Sequence, residues 1–214
     1  MAEAKKYSKR LQHAKHAQLY ADRFETGSRQ RINQREQRAV KMIFAELPDC
    51  RSVVDVPSGA GRFAKTLASG GRKVLGLDVA FEILRHGQQR AGPSNVQFIR
   101  GDASKLPLRD NSVDCVFCNR LLHHILSAQE RVAFLKQFHR VTRRYVVVSF
   151  FDYHAFGTVR KLLKALKGRK PAYDRQPTFE QFTAEVLSAG FKVRGVQRTG
   201  PAWVAQKYFV LEKA

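Results

Sequence analysis

Acidic residues are scarce in this chain: 18 Asp and Glu stand against 39 Lys and Arg, a formal charge of +21 over 214 residues. That balance favours polyanionic or acidic partners such as nucleic acid, anionic lipid or small acidic molecules, and its sign alone does not choose among them. Cysteine is scarcer still, with only Cys50, Cys115 and Cys118, an odd set. Cys115 and Cys118 fall in VDCVFCNRLL, a buried strand and its exit, where residues i and i+3 point to opposite faces and do not pair. Their CxxC spacing invites a zinc or redox reading. No second pair and no histidine at finger spacing follows, so all three read as packing residues and no metal site is expected. Long apolar runs are also missing: none approaches the roughly 20 residues that span a bilayer, and MAEAKKYSKR leads into no signal-type apolar region. The expected setting is reduced and cytoplasmic, with peripheral contact at the inner membrane surface as one use for the basic charge.

The length fits one domain, with room for a terminal extension. Residues 1–48 read as a basic helical N-terminal extension, a cap or lid: one helix-compatible stretch over 5–25, an interruption at TGS (26–28), and a second stretch over 30–47. From residue 51, β-branched runs alternate with helical ones: SVVDV, RFAKTLASG, KVLGLDV, FEILRHGQQRA, NVQFIRG, SVDCVFC, QERVAFLKQFHRV and YVVVSFF. Such alternation implies βαβ units and a parallel sheet, because parallel neighbours need long crossovers. The runs are nearly continuously apolar, as strands covered by helices on both faces should be. A basic helix and loop, AFGTVRKLLKALKG and RKPAYDRQP, form an insertion at about 154–177. PTFEQFTAEVLSAGF then reads as a helix with Thr178 at its N-cap and Gly190 near its end, and FKVRGVQRTG and AWVAQKYFVLEK as a closing antiparallel pair.

VVDVPSGAGRFAKTLA, residues 53–68, raises the functional question. A strand ending in Asp55, then Gly59 and Gly61, then a helix, lets a ligand approach the backbone closely. GAGRFA satisfies the loose dinucleotide fingerprint, so an NAD(P)-linked oxidoreductase has to be weighed. Three acids argue against it: Asp55, Asp78 in KVLGLDV and Asp102 in FIRGDASKLPL close three consecutive strands and crowd one crevice. A pyrophosphate there would be repelled by Asp55, whereas a ligand carrying an ammonium and a sulfonium would be attracted.

In the order DVPSGAG, GLDVA, GDASKLPL and DNSVDCVFCNRLLHHI, the chain resembles the class I S-adenosylmethionine-dependent methyltransferases, particularly the small-molecule and ubiquinone-biosynthesis type, over roughly residues 50 to 150. Pro57 departs from the pattern, standing where the family has its first glycine; proline cannot adopt a left-handed turn. The resemblance implies a Rossmann-like, doubly wound α/β fold over 49–214: a mostly parallel seven-stranded sheet with an antiparallel C-terminal strand, in three α/β/α layers. It implies S-adenosylmethionine as cofactor, with Asp55 and the backbone of Ser58, Gly59 and Gly61 at its methionine portion and Asp78 on the ribose hydroxyls. Asp102 would take the adenine amino group and Ala103 a ring nitrogen, with Val79 and Leu106 flanking the base. Asn119 to His124 would lie beneath the sulfonium, where His123 or His124 holds or deprotonates an acceptor hydroxyl and Arg120 meets an acidic acceptor. Tyr20 and Phe24 would belong to a lid or to ordinary core packing, and Phe150, Phe151, Asp152, Tyr153 and His154 would wall the acceptor pocket or simply pack. CNRL lacks the N-P-P-aromatic clamp of base-amine methyltransferases, and no Pro-Cys nucleophile occurs. The favoured acceptor is a small or lipid-like, anionic molecule. The alternatives are an RNA methyltransferase reading RNA through the basic helices, and a catalytically inactive binding module.

Overall fold

Along the central strands, residues of opposite parity are both apolar, and a computed structural model of the chain shows what each parity meets. It describes residues 18–19, 22–24, 27–90, 95–152 and 176–214. Among them one sheet of seven strands runs in the order β3-β2-β1-β4-β5-β7-β6. The strands are β1 (Ser52–Asp55), β2 (Lys73–Asp78), β3 (Val96–Arg100), β4 (Val113–Cys118), β5 (Thr142–Phe151), β6 (Phe191–Arg198) and β7 (Gln206–Lys213). Strands β3, β2, β1, β4 and β5 pair parallel to one another. β7 inserts antiparallel between β5 and β6, so the last strand of the chain is the one reversed. The chain moves outward from β1 to β2 and β3, then returns to lay β4 on the other side of β1. This reversal opens a crevice at the carboxyl ends of β1 and β4, where open α/β sheets bind ligands.

Helices α1 (Gly27–Ala45), α2 (Ala64–Ala68), α3 (Phe81–Arg90), α4 (Ala128–Val141) and α5 (Phe179–Ser188) cover the sheet. Val54, Val116 and Val148 pack with Leu135 and Phe138 of α4 and with Phe182 and Val186 of α5. Val53, Phe117, Val147 and Tyr208 pack with Val40, Ile43 and Phe44 of α1 and with Leu67 of α2. The expected three layers follow. Cys115 and Cys118 fall in opposite cores as their parity requires, and all three cysteines are free. No cluster able to hold a metal ion occurs among the described residues, and no described helix is long and apolar enough to cross a membrane. Edge strand β3 differs from the near-continuous burial expected of its run: none of its residues is fully buried, and Gln97 and Arg100 are exposed; β6, at the other edge, alternates between covered and exposed positions.

α5 begins at Thr178, whose hydroxyl accepts from Gln181 N while the Gln181 side chain accepts from Thr178 N, a reciprocal cap. The helix is followed by Gly190 at φ +89°. Arg131 of α4 makes a two-pronged buried pair with Glu185 of α5, at 2.8 and 2.5 Å, and also donates to the carbonyls of Ile125 and Leu126. One guanidinium thus fixes two helices and the segment just after the paired histidines. Residues 1–17, Tyr20, Tyr153, His154 and the basic insertion through residue 175 lie outside the described residues.

Candidate functional site

The turn after β1 is built by Gly59 at φ +54° and Gly61 at φ +67°, left-handed values that strain any side-chain-bearing residue. Pro57 sits just ahead, joined to Val56 by a cis peptide, and leaves the left-handed positions to the glycines. Ser58 N donates to Leu77 O at 2.9 Å and Gly61 N to Ser58 O at 3.0 Å, which fold the turn against β2. Asp78 locks it: its Oδ2 accepts from Gly59 N and its Oδ1 from Ala80 N, both at 3.0 Å. Each carboxylate oxygen keeps a second lone pair for a ligand hydroxyl.

Asp55 is 2% exposed, and its Oδ1 has no hydrogen-bond partner. The buried Ser58 Oγ lacks one as well. Two orphaned polar atoms beside one glycine turn are the signature of a ligand's place. Burial pushes the Asp55 carboxyl well above the ordinary range, nearby Arg62 pulling it down and Asp78 pushing it further up. Asp78 is also raised by burial, against the backbone N–H groups of Ala80, Gly59 and Val79. A cation placed here would relieve both acids. Because Asp55 is raised on folding, the folded chain holds a proton the unfolded chain has released, and stability falls as pH climbs from the ordinary carboxylate value through the folded one. Asp55→Asn should therefore stabilise the ligand-free protein at pH 7 by about 0.5–2 kcal/mol. The gain should vanish near pH 4. Melting curves at the two pH values check this; a loss of stability at pH 7 would contradict it.

The third acid is held differently. Asp102 is exposed, and its Oδ1 accepts from both the amide and the hydroxyl of Ser104, at 2.8 and 2.7 Å. A ligand amine would therefore meet Oδ2. Gly101 N donates to Asp78 O, which puts the ends of β2 and β3 side by side. Val79 is exposed at the crevice, and its carbonyl accepts from Arg100 Nε. Ala103 is half-buried. Leu106, expected beside a base, is instead 3% exposed and packed in the core with Val113 and Val116, since the loop folds back onto the sheet.

At the exit of β4, Asn119 is buried, and its Oδ1 accepts from Tyr208 OH at 3.0 Å and Gln206 Nε2 at 3.3 Å. A ligand contact from this residue would come from Nδ2. Arg120 follows at φ +60°, its amide on Ser149 Oγ at 2.7 Å. Its guanidinium does not await an acidic acceptor: it is bound by Glu36 of α1. Phe24 is buried beneath the guanidiniums of Arg62 and Arg120, at 4.3 and 5.5 Å from ring to Cζ. A single 3₁₀ turn, Leu122–His124, carries the histidines. The His123 ring lies against His124 and Phe151, with centroids 3.9 and 4.6 Å away, and its buried Nδ1 has no partner. Burial drives it down to about 3, so it is a neutral imidazole at pH 7. His124 is exposed. His123, Leu122, Ser149, Phe150 and Phe151 line a small recess closed by Gln176, whose amide donates to His123 O. Asp152, expected in that wall, pairs with Lys207 at 2.6 Å.

The structure thus brings Asp55, Ser58, Gly59, Gly61 and Asp78 together around one turn, with Asp102 at the neighbouring strand end. What sequence reading missed is Glu36, whose only signal was being the lone acid in GSRQRINQREQRAVKMIFA.

Residues 53–145 match the methyltransferase domain family. Phosphoethanolamine N-methyltransferase 1 of Caenorhabditis elegans is 38% identical over 109 residues, covering 50% of this chain and 23% of that protein. Demethylmenaquinone methyltransferase of Renibacterium salmoninarum is 30% identical over 144 residues, covering 64% of this chain and 59% of that one. The chain therefore spans less than two thirds of either relative. The crystal structure of magnesium protoporphyrin IX methyltransferase from Synechocystis PCC 6803 with bound SAH superposes with a TM-score of 0.72 at 20% identity, over 88% of each chain. The methyltransferase-domain match thus covers the glycine turn and its ordered motifs, within a β3-β2-β1-β4-β5-β7-β6 sheet whose fold the magnesium protoporphyrin IX methyltransferase structure shares.

Proposed function

We propose that the protein transfers a methyl group from S-adenosylmethionine to a small or lipid-like acceptor. The observation that carries this is Asp55: a fully buried carboxyl with an unpartnered oxygen, beside a second buried acid, at a turn whose glycines bring backbone within reach of a ligand. Such a place suits a cationic nucleoside and repels a pyrophosphate, which argues against the nicotinamide alternative. When bound, S-adenosylmethionine supplies an electrophilic methyl on a sulfonium, a leaving group that needs little acid or base help. The chain's part is to bind and align. Asp78 would hold the ribose hydroxyls, Asp55 and the Ser58–Gly61 backbone the methionine end, and Asp102 with Ala103 the base.

On the acceptor side, the recess by His123 is walled by Phe150, Phe151 and Leu122; it has room for little more than a water, so only the reacting group of an acceptor would enter it and the apolar body would lie outside. The neutral His123 Nδ1 would accept a hydrogen bond from an acceptor hydroxyl or amine. With its basicity suppressed by burial, it orients the acceptor and does not deprotonate it. The named activities of the relatives, on phosphoethanolamine, demethylmenaquinone and magnesium protoporphyrin, support the small-molecule class. An RNA acceptor is the second reading, favoured by one observation: exposed Arg29, Arg31, Arg35, Arg38 and Lys41 of α1 make no ion pair among the described residues.

Methyl-labelled donor incubated with small-molecule and lipid extracts, and separately with total RNA, tests the proposal. Label in the extract alone is expected; label in RNA alone would replace the acceptor class, and label in neither would overturn the activity. With the acceptor in hand, the rate should show no His123 step between about pH 5.5 and 8. A wild-type step in that window that disappears in His123→Gln would make His123 the base.

A further inference from the structure

Glu36 lies on α1, ahead of the matched domain, yet contacts the residues that directly follow the glycine turn and Asn119. It is 1% exposed and stands between two guanidiniums: Arg62 Nη1 at 2.5 Å and Arg120 at 2.5 Å through Nη2 and 3.2 Å through Nε. These arginines come from the two segments that frame the crevice. Arg62 directly follows Gly61 of the turn, and Arg120 directly follows Asn119 at the exit of β4. The same turn of α1 adds Asn33, which accepts from Arg62 at 3.0 Å, and Gln37, whose amide donates to Arg62 O at 2.7 Å. Arg120 is held in turn by Gln206 at 3.1 Å, which donates to Asn119.

The charges matter more than the connections. Arg62 acts through space on Asp55, and Glu36, Arg62, Arg120 and Asp55 all act on the buried Tyr208 hydroxyl, so the four sit as one group behind the turn. Without Glu36, two uncompensated cations would face the place proposed for a cationic ligand. Buried charges left unpaired are felt at longer range than solvated ones.

We infer that Glu36 is a positioning residue that draws Arg62 and Arg120 away from the sulfonium, and so sets the preference of the site for the charged donor over its neutral product. The inference rests on the reading of the site as an S-adenosylmethionine site. Donor and product differ by the sulfonium charge, so a residue that merely supports the fold would move both affinities together, and Glu36 should not.

Titration calorimetry of the full chain at low salt, with S-adenosylmethionine and S-adenosylhomocysteine in parallel, reads this. Glu36→Gln should weaken the donor roughly tenfold and the product about twofold, the size expected for one unit charge at intermediate distance. Glu36→Gln combined with Arg62→Gln, which restores the charge balance, should return the donor-to-product ratio toward wild type. Equal losses for both ligands would overturn the inference. Should Glu36→Gln melt below the assay temperature, Arg62→Gln alone decides: a shift of the ratio toward the donor supports the inference, and an unchanged or opposite ratio overturns it. A wild-type chain that binds neither ligand would instead bring down the proposed function, a result distinct from those above.

Discussion

Asp78→Ala should weaken nucleoside binding by at least about 100-fold, close to 2.7 kcal/mol. Three losses converge on that residue. Its Oδ2 fixes Gly59 N and its Oδ1 fixes Ala80 N, so one carboxylate sets both the glycine turn and the start of α3. Alanine leaves one part-buried and one buried donor without an acceptor, at about 1–3 kcal/mol each where water cannot reach them. On the proposed reading, the ribose hydroxyls would lose a charge-assisted acceptor as well. Asp78→Asn separates these contributions: it retains one acceptor oxygen and meets the other N–H with an amide that cannot accept, so an intermediate loss of about tenfold is expected. Calorimetry with S-adenosylhomocysteine measures both variants, and melting curves show whether the fold survives. Unchanged affinity in a folded Asp78→Ala protein would remove the ribose assignment.

The features that were legible in the sequence are those that repeat at short range. Alternating β-branched and helical runs encode the parallel sheet, because period and connection length are local properties. Thr178 was legible as the N-cap of α5 and appears as one, with Gln181 completing a reciprocal cap. The opposite burial of Cys115 and Cys118 follows from strand parity alone. The ordered acids were legible too, since Asp55 and Asp78 close their strands and Asp102 follows the next, and the topology carries strand ends to one edge. Pairings across long separations left no such trace. Glu36 meets Arg62 and Arg120 from 26 and 84 positions away. Nothing in CNRLLHH marks Arg120 as left-handed or His123 as buried deeply enough to stay neutral. Leu106 was misread for the same reason: a leucine after G-D-A fits a base or a core, and only the loop's path decides.

Another of these long-range fits surrounds Phe98, and replacing the glycine opposite it should be the costliest small substitution near the site. Phe98 of β3 pairs in register with Gly76 of β2. A Cβ at Gly76 would stand 2.4 Å from Phe98 Cδ1 and 3.1 Å from Ser58 Oγ. Two more glycines close on the same half-buried ring: a Cβ at Gly61 or Gly87 would also come within 2.7 or 2.9 Å of it. Three glycines, from a strand, the ligand turn and α3, thus make one seat for one ring, and the turn is shaped against it. Gly76→Ala should cost about 3 kcal/mol of stability, the upper part of the range for overfilled cores. It should also weaken donor binding by displacing Ser58. Adding Phe98→Leu shortens the obstructing side chain and should recover about half of the lost stability. Gly61→Ala should show no comparable rescue, because its φ of +67° strains alanine by about 1–2 kcal/mol whatever the space. Denaturant unfolding of Gly76→Ala and Gly61→Ala, each alone and combined with Phe98→Leu, measures this set; Gly76→Ala within about 0.5 kcal/mol of wild type would show that the ring yields and does not shape the turn.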